Sequence, residues 1–304
     1  MIALSILAGL LILGVALGAF SFDGVLDGAL SETVEDTDEE TDTVEGTTGD
    51  DLLQTGDNND EVFGDDGDDT IDAEDGEDDV HGGAGNDEIY GGLGSDTLSG
   101  DAGADTIDAG GGFDAVFAGD GNDEIDGGGG DDTIFGESGD DVLFGRVGSD
   151  FVSGGTGADT LKGGAGDDLL VGYEDSTLDA IFEESDDYDP DFIAGGAGSD
   201  AIIAGSGDTI DGGEGIDYLT LGSWIDPANP VFIEEFEATE DIIVIIVPDD
   251  YAGAATVTID HAPAGTHSGT VFLDGVRLAE VEGGGTLGLL SAASITVVYQ
   301  DNFA

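Results

Sequence analysis

The sequence predicts an all-β fold. A parallel β-roll of stacked short strands is closed by a β-rich C-terminal cap and preceded by one hydrophobic N-terminal helix. Three observations predict it. Residues 46–171 divide into fourteen unbroken nine-residue repeats of the form GGxGxDxUx, where U is a large aliphatic residue. Position six is aspartate and position eight is Leu, Ile or Val in all fourteen, while position four is glycine in every repeat except for Asn58. After Leu221 glycine thins out and alternating apolar runs take its place. A fixed period held over 126 residues is the mark of a repeat architecture.

In chain order, residues 1–22 come first. The stretch 1–20 is apolar apart from Ser5 and carries no charge, which is long enough to span a bilayer as a helix. A cleaved export signal normally has a basic start and a shorter apolar core. Two main readings stand: an anchor that places residues 2–20 in a membrane, or a signal removed near Ala16 and Gly18. A buried core helix is a third. No Lys or Arg lies nearby to orient the segment. Residues 23–45 follow, with eight acids and no aromatic between Ser31 and Glu45. They are expected to form an extended, solvated tether.

The roll is expected over residues 46–220, regular to 171, irregular over 172–194, and resuming over 195–220. A U residue with extended neighbours makes a strand about three residues long, too short to stand alone, and stacking such strands buries the U residues as a ladder. The glycines permit a tight, partly left-handed turn, and Asn58 is the next best residue for that backbone. Such a turn leaves carbonyls beside the position-six carboxylate. Hard oxygen donors with no nitrogen or sulfur near them suit Ca²⁺ rather than zinc or copper. The candidate ligands are Asp51, Asp60, Asp69, Asp78, Asp87, Asp96, Asp105, Asp114, Asp123, Asp132, Asp141, Asp150, Asp159 and Asp168. The repeats hold 35 acids against Arg146 and Lys162, so without a counter-ion the carboxylates repel one another. The roll is therefore expected to unfold without calcium and fold with it.

This pattern resembles the RTX family of calcium-binding, haemolysin-type repeats. The resemblance implies a right-handed β-roll in which two nonapeptides make one coil. It also implies calcium between the turns of successive coils, held by position-six aspartates and turn carbonyls. Fourteen repeats then make seven coils, with up to about twelve ions.

The pattern frays in places. Asp65, Glu74, Asp101, Glu137 and Arg146 replace the glycine of position two, which predicts altered turn geometry there. Arg146 either neutralises a neighbouring carboxylate or faces solvent. Residues 173–190 hold eight acids and a proline, and two D-x-U cores are legible around them, Asp179 with Ile181 and Asp191 with Ile193. The roll either continues here with enlarged turns or gives way to a separate acidic loop, a candidate partner site. From Gly195 the pattern resumes, and Asp200, Asp208 and Asp217 are further candidate ligands with fewer supporting neighbours.

Residues 221–304 are expected to form a small β domain that caps the roll, since a last coil otherwise exposes apolar edges and unpaired backbone. Candidate strands are 240–247, 255–260, 270–273, 276–281 and 294–300, with Asp274-Gly275 a two-residue hairpin turn. The run VFIEEFEATEDIIVII is similar to the segment that often follows RTX repeats. In that family an uncleaved C-terminal segment commonly directs type I export, and the ending QDNFA is a weak match to such a signal.

A formal net charge of −69 with three Lys and Arg excludes nucleic acid as a partner. Of the 72 acids, 37 lie outside the regular repeats, more than ligation explains, and acidic surfaces aid solubility in a saline habitat. The chain has no cysteine, so disulfides and thiol chemistry are absent. Extracellular calcium modules bind with Kd of roughly 10⁻⁴–10⁻³ M, which places the folded form at the cell surface or in the medium. Neither HExxH nor GxSxG occurs, the histidines are His81, His261 and His267, and about 25 residues separate the hydrophobic segment from the roll. The reading is therefore non-enzymatic: an exported calcium-binding rod with a structural or adhesive surface role. A carbohydrate-binding module, acting on surface polysaccharide through Tyr218 and Trp224, is the alternative, and a cytolysin a more remote one.

Overall fold

Position eight of every repeat, from Leu53 to Leu170, is shielded from solvent, while the residues on either side of it turn outward. Each D-x-U core thus nucleates a short strand with one buried side chain. The computed structural model describes residues 33–35, 43–172, 189–222, 225–236, 240–247, 257–261, 268–282 and 295–299. Among them there is no helix, and hence none long and apolar enough to cross a membrane. The hydrophobic segment 1–22 lies outside the described residues.

Successive strands alternate between two parallel sheets. Leu52 pairs with Thr70, Leu53 with Ile71 and Gln54 with Asp72, an 18-residue step that equals two repeats. The same step relates Val62 to Val80 on the opposite side. One sheet has 14 strands and the other 12. The buried Leu, Ile and Val residues stack between them as a single continuous core.

The stacking begins earlier than residue 46. Strands β1 (Thr33–Glu35) and β2 (Thr43–Glu45) lie within the segment expected to be a tether and pair with the first repeats. The reason is legible in retrospect: Val44 stands nine residues before Leu53 and is buried like it, and Asp42 precedes it in the D-x-U spacing.

Across the acidic interruption the register jumps by 32 residues instead of 18. Thr160 pairs directly with Phe192, and Leu169 with Ala201. The two sheets therefore pass this point without an added rung. Asp191 with Ile193 forms a rung as expected. Asp179 and Ile181 fall outside the described residues, and the described rungs are consecutive without them. The eight-residue variant that follows shortens the next step to 17 residues.

The C-terminal region extends the same two sheets. The strand Val231–Glu234 stacks on one and Ile242–Val247 on the other. The strand Ile295–Tyr299 then adds to Ile242–Val247 in parallel. On the other sheet, Val276–Glu282 pairs with Val231–Glu234 in parallel, and Ser268–Leu273 and Val257–His261 follow antiparallel. The hairpin turn is at Asp274 (φ 49°) and Gly275 (φ 83°), both left-handed as a two-residue turn of this kind requires. Residues Ser31–Ala304 form one compact unit, with no break in either sheet at residue 221.

Candidate metal centre

Position six places a carboxylate just before each strand, and in every described case it is at most 5% exposed. Burying so many acids is costly unless each oxygen finds a partner. One oxygen does. The backbone N–H of each aspartate donates to Oδ1 of the aspartate one coil further on. This runs from Asp51 to Asp69 (2.7 Å) and Asp60 to Asp78 (2.8 Å) through to Asp200 to Asp217 (3.0 Å). Two ladders result. The first contains Asp51, Asp69, Asp87, Asp105, Asp123, Asp141, Asp159, Asp191 and Asp208. The second contains Asp60, Asp78, Asp96, Asp114, Asp132, Asp150, Asp168, Asp200, Asp217 and Asp241.

The second oxygen is different. In Asp69, Asp78, Asp87, Asp96, Asp105, Asp114, Asp123, Asp132, Asp141, Asp150, Asp168, Asp200 and Asp217, Oδ2 is shielded and has no hydrogen-bond partner. Where position one of the repeat is glycine, Oδ2 lies against it. A β-carbon on Gly100 would lie 2.5 Å from Asp105 Oδ2 and 2.5 Å from the Ala118 carbonyl oxygen of the next coil. One on Gly91 would lie 2.9 Å from Asp96 Oδ2 and 2.7 Å from the Ala109 carbonyl oxygen. Carboxylate and carbonyl oxygens thus converge around a small gap at the turn. Among the described residues no three Asp, Glu or His side chains come together on one point. A metal here would take one or two carboxylates and complete its shell from backbone carbonyls.

That donor set fits calcium. It is all hard oxygen, flexible in number, and built from orphaned buried anions that need a positive charge. Without one, burial pushes the carboxyls up: Asp69, Asp78, Asp132 and Asp168 to about 6, and Asp105, Asp114, Asp141 and Asp200 to about 7. Desolvation dominates, the backbone N–H opposes it, and neighbouring carboxylates add to it.

Some rungs depart from this pattern. Asp51 Oδ2 accepts the Thr47 backbone N–H (2.6 Å) and hydroxyl (2.9 Å). Asp208 Oδ2 accepts the Gly205 N–H (2.6 Å), because the eight-residue repeat draws that turn inward. A β-carbon on Gly172 would sit 2.6 Å from Asp191 Oδ2 and 3.1 Å from Asp208 Oδ2, so these two carboxyls face each other. Burial and the Asp208 charge raise Asp191 strongly. Asp241 extends the second ladder and was missed in the sequence, although its D-x-U spacing to Ile243 was there to find.

The substituted turns keep the repeat's backbone. Asp65, Glu74, Asp101, Glu137 and Arg146 hold φ between 65° and 79°, against 100° at Gly155 and 116° at Gly164 in the same position. Stacking between coils imposes the left-handed turn whatever the side chain. Arg146 pairs with a carboxylate: its guanidinium reaches Asp126 (2.6 and 2.9 Å) and lies 4.3 Å over the Phe144 ring. His81 stacks on Phe63 and lies between Asp79 (3.5 Å) and Asp101 (3.6 Å). His267 and Trp224 fall outside the described residues, and Tyr218 is exposed on the outer face of its strand. A second, exposed ladder went unseen in the sequence: position-five side chains accept the N–H one coil on, as Asp68 does from Asn86 (2.9 Å) and Asn86 from Ala104 (2.8 Å).

A family profile described as RTX calcium-binding nonapeptide repeat (4 copies) matches residues 36–176 and 187–219 in overlapping windows, more than half of the chain. No curated protein matches. Among solved structures, the extracellular lipase LipA from Serratia marcescens is similar at 18% identity over 88% of this chain, with a TM-score of 0.18. The match spans 42% of that lipase.

Proposed function

The chain belongs to the RTX calcium-binding nonapeptide-repeat family, and on that premise we propose that it is an exported, non-enzymatic rod. Its roll folds as calcium loads the turns, and it serves a structural or adhesive role at the cell surface. The observation that carries this reading is the double ladder of shielded aspartates with unpartnered Oδ2 atoms. The ligands proposed are the position-six aspartates with turn carbonyls beside them, Asp200 and Asp217 included and Asp51, whose Oδ2 is taken by Thr47, excepted. Calcium, when bound, would supply the positive charge that the shielded carboxylates lack. The protein supplies the rest: glycine-rich turns that aim the carbonyls, backbone N–H groups that fix each carboxylate by Oδ1, and an aliphatic ladder that keeps water out.

Export follows from the calcium supply. Sites built from single carboxylates and carbonyls fill where calcium is near millimolar, outside the cell. Inside, the chain would stay unfolded and competent for export.

The test is far-UV circular dichroism of the full chain during a calcium titration, with magnesium as control. A cooperative coil-to-β transition near millimolar calcium, absent with magnesium, is expected. A spectrum that stays disordered at saturating calcium would sink the reading. For the surface role, deletion of the gene should impair adhesion or surface-layer integrity, and unchanged phenotypes would leave calcium binding alone. Binding on a glycan array, present only with calcium, would favour surface polysaccharide as the partner.

A further inference from the structure

The two outer faces of the roll differ in charge. On the 14-stranded sheet the outward residues include Asp108, Glu124, Asp126, Lys162, Asp211 and Glu234. On the 12-stranded sheet, the outward positions flanking the buried residue are uncharged on every strand from Thr97–Ala102 to Ile242–Val247. They include Phe117, Phe135, Phe151, Leu169, Tyr218 and Ile242. Phe135 lies 5.4 Å from both Phe117 and Phe151, ring to ring. From Phe151–Thr156 onward the strands of this sheet carry no charged residue at all. Between Thr97 and Ser138 acids lie only toward the turns, at Asp101, Asp120 and Glu137, while the first strands of the sheet still point Glu45, Glu61 and Asp79 outward. In a chain of net charge −69, this is a strip from which charge has been removed.

We propose that this face binds the same face of a second copy of the chain. Parallel sheets are ordinarily covered on both sides, and among the described residues this one is covered on one. A basic partner would be drawn to the acidic turns and to the other sheet, and an acidic partner would be repelled from both. A second copy presents an uncharged strip of the same length and composition. An isologous two-fold pairing sets uncharged strip against uncharged strip and leaves the carboxylate-rich turns at the rim. The inference rests on the calcium-loaded reading, because calcium neutralises the two turn ladders that flank the strip.

Eight strands about 4.8 Å apart and three residues wide give a footprint of roughly 350–500 Å² per copy. The total of about 700–1,000 Å² is below the roughly 1,200 Å² of a stable complex. Association should therefore be reversible, and favoured where chains are crowded, as on a surface.

The chain has no cysteine, so single cysteines report on the contact. Ser153→Cys is central on the strip, and Thr160→Cys lies on the opposite sheet. In saturating calcium under mild oxidation, the full-length Ser153→Cys chain should form disulfide dimers at least about tenfold faster than Thr160→Cys, as a raised local concentration dictates. Adding Phe135→Asp to Ser153→Cys should abolish that advantage. If circular dichroism shows that this variant does not fold, Thr133→Asp on the same face serves in its place. Equal rates for the two cysteines, or an advantage that survives the added charge, overturns the proposal. A Ser153→Cys chain that folds in calcium yet stays monomeric overturns it while leaving calcium binding intact. A chain that does not fold in calcium overturns both.

Discussion

Asp105 and Asp51 occupy the same place in the repeat and differ in what reaches their second oxygen. Asp105 Oδ2 has no partner, whereas Asp51 Oδ2 takes two hydrogen bonds from Thr47. Asp105→Asn should therefore lower the number of bound calcium ions and move the folding midpoint to higher calcium. Asp51→Asn should leave the ion count unchanged. Native mass spectrometry of both variants gives the counts, and equal losses would show that the Thr47 contacts do not close that rung. The raised carboxyls set the pH response. Asp105, Asp114 and Asp141 titrate at about 7 in the metal-free fold, above the ordinary 3.8. Their protonation favours folding, so that contribution is fully present below about pH 4 and is lost as pH rises through about 7. In chelator the roll should be more stable at pH 4 than at pH 8. In calcium the order reverses, because the metal needs the ionised carboxylate, and calcium affinity should weaken as pH falls below about 7. Denaturation midpoints at both pH values, with and without calcium, check both signs. The position of the shielded carboxylates was legible from spacing alone. That Asp51 and Asp208 are satisfied from within their own turns was not, because Thr47 and Gly205 acquire their roles only when the turn closes.

At the scale of the strand, stability comes from one buried aliphatic residue per repeat. Leu143 is fully shielded between rungs at Ile125 and Leu161. Leu143→Ala leaves a cavity in the ladder and should destabilise the calcium-loaded roll by about 2–5 kcal/mol. Chemical denaturation at fixed calcium measures it, and a loss under about 1 kcal/mol would mean the sheets close over the gap. The U residues of the regular repeats, the hairpin at Asp274-Gly275 and the five C-terminal strands were readable because each carries its own local pattern. The strands at Thr33–Glu35 and Thr43–Glu45 were missed because acidic composition masked their pairing. Strand Val231–Glu234 was not singled out either. It opens the run similar to the segment that follows RTX repeats, and it stacks on Thr209–Glu214 with Val231 and Ile233 inward.

For the molecule as a whole, each coil gains from the coil above and below, so the ends matter. Leu219 and Leu221 are buried beneath the strands that follow them, and Ile243 and Ile245 continue the second sheet over them. A chain ending after Gly222 would expose that rung, and it should fold only at higher calcium and with a broader transition than the full chain. Superimposable titrations would show that the C-terminal strands contribute nothing to closure.

By itself the sequence determined the coil length, the inner ladder, the position of nearly every shielded carboxylate and the preference for calcium. All of these follow from a nine-residue period that chemistry can read one repeat at a time. Only the tertiary structure decided which carboxylates keep an unpartnered oxygen, how the sheets pass the acidic interruption without an added rung, and that one outer face carries an uncharged strip from Thr97 onward. Those properties belong to residues 17, 18 or 32 positions apart. They are brought together by stacking, and no local pattern announces which residues will meet.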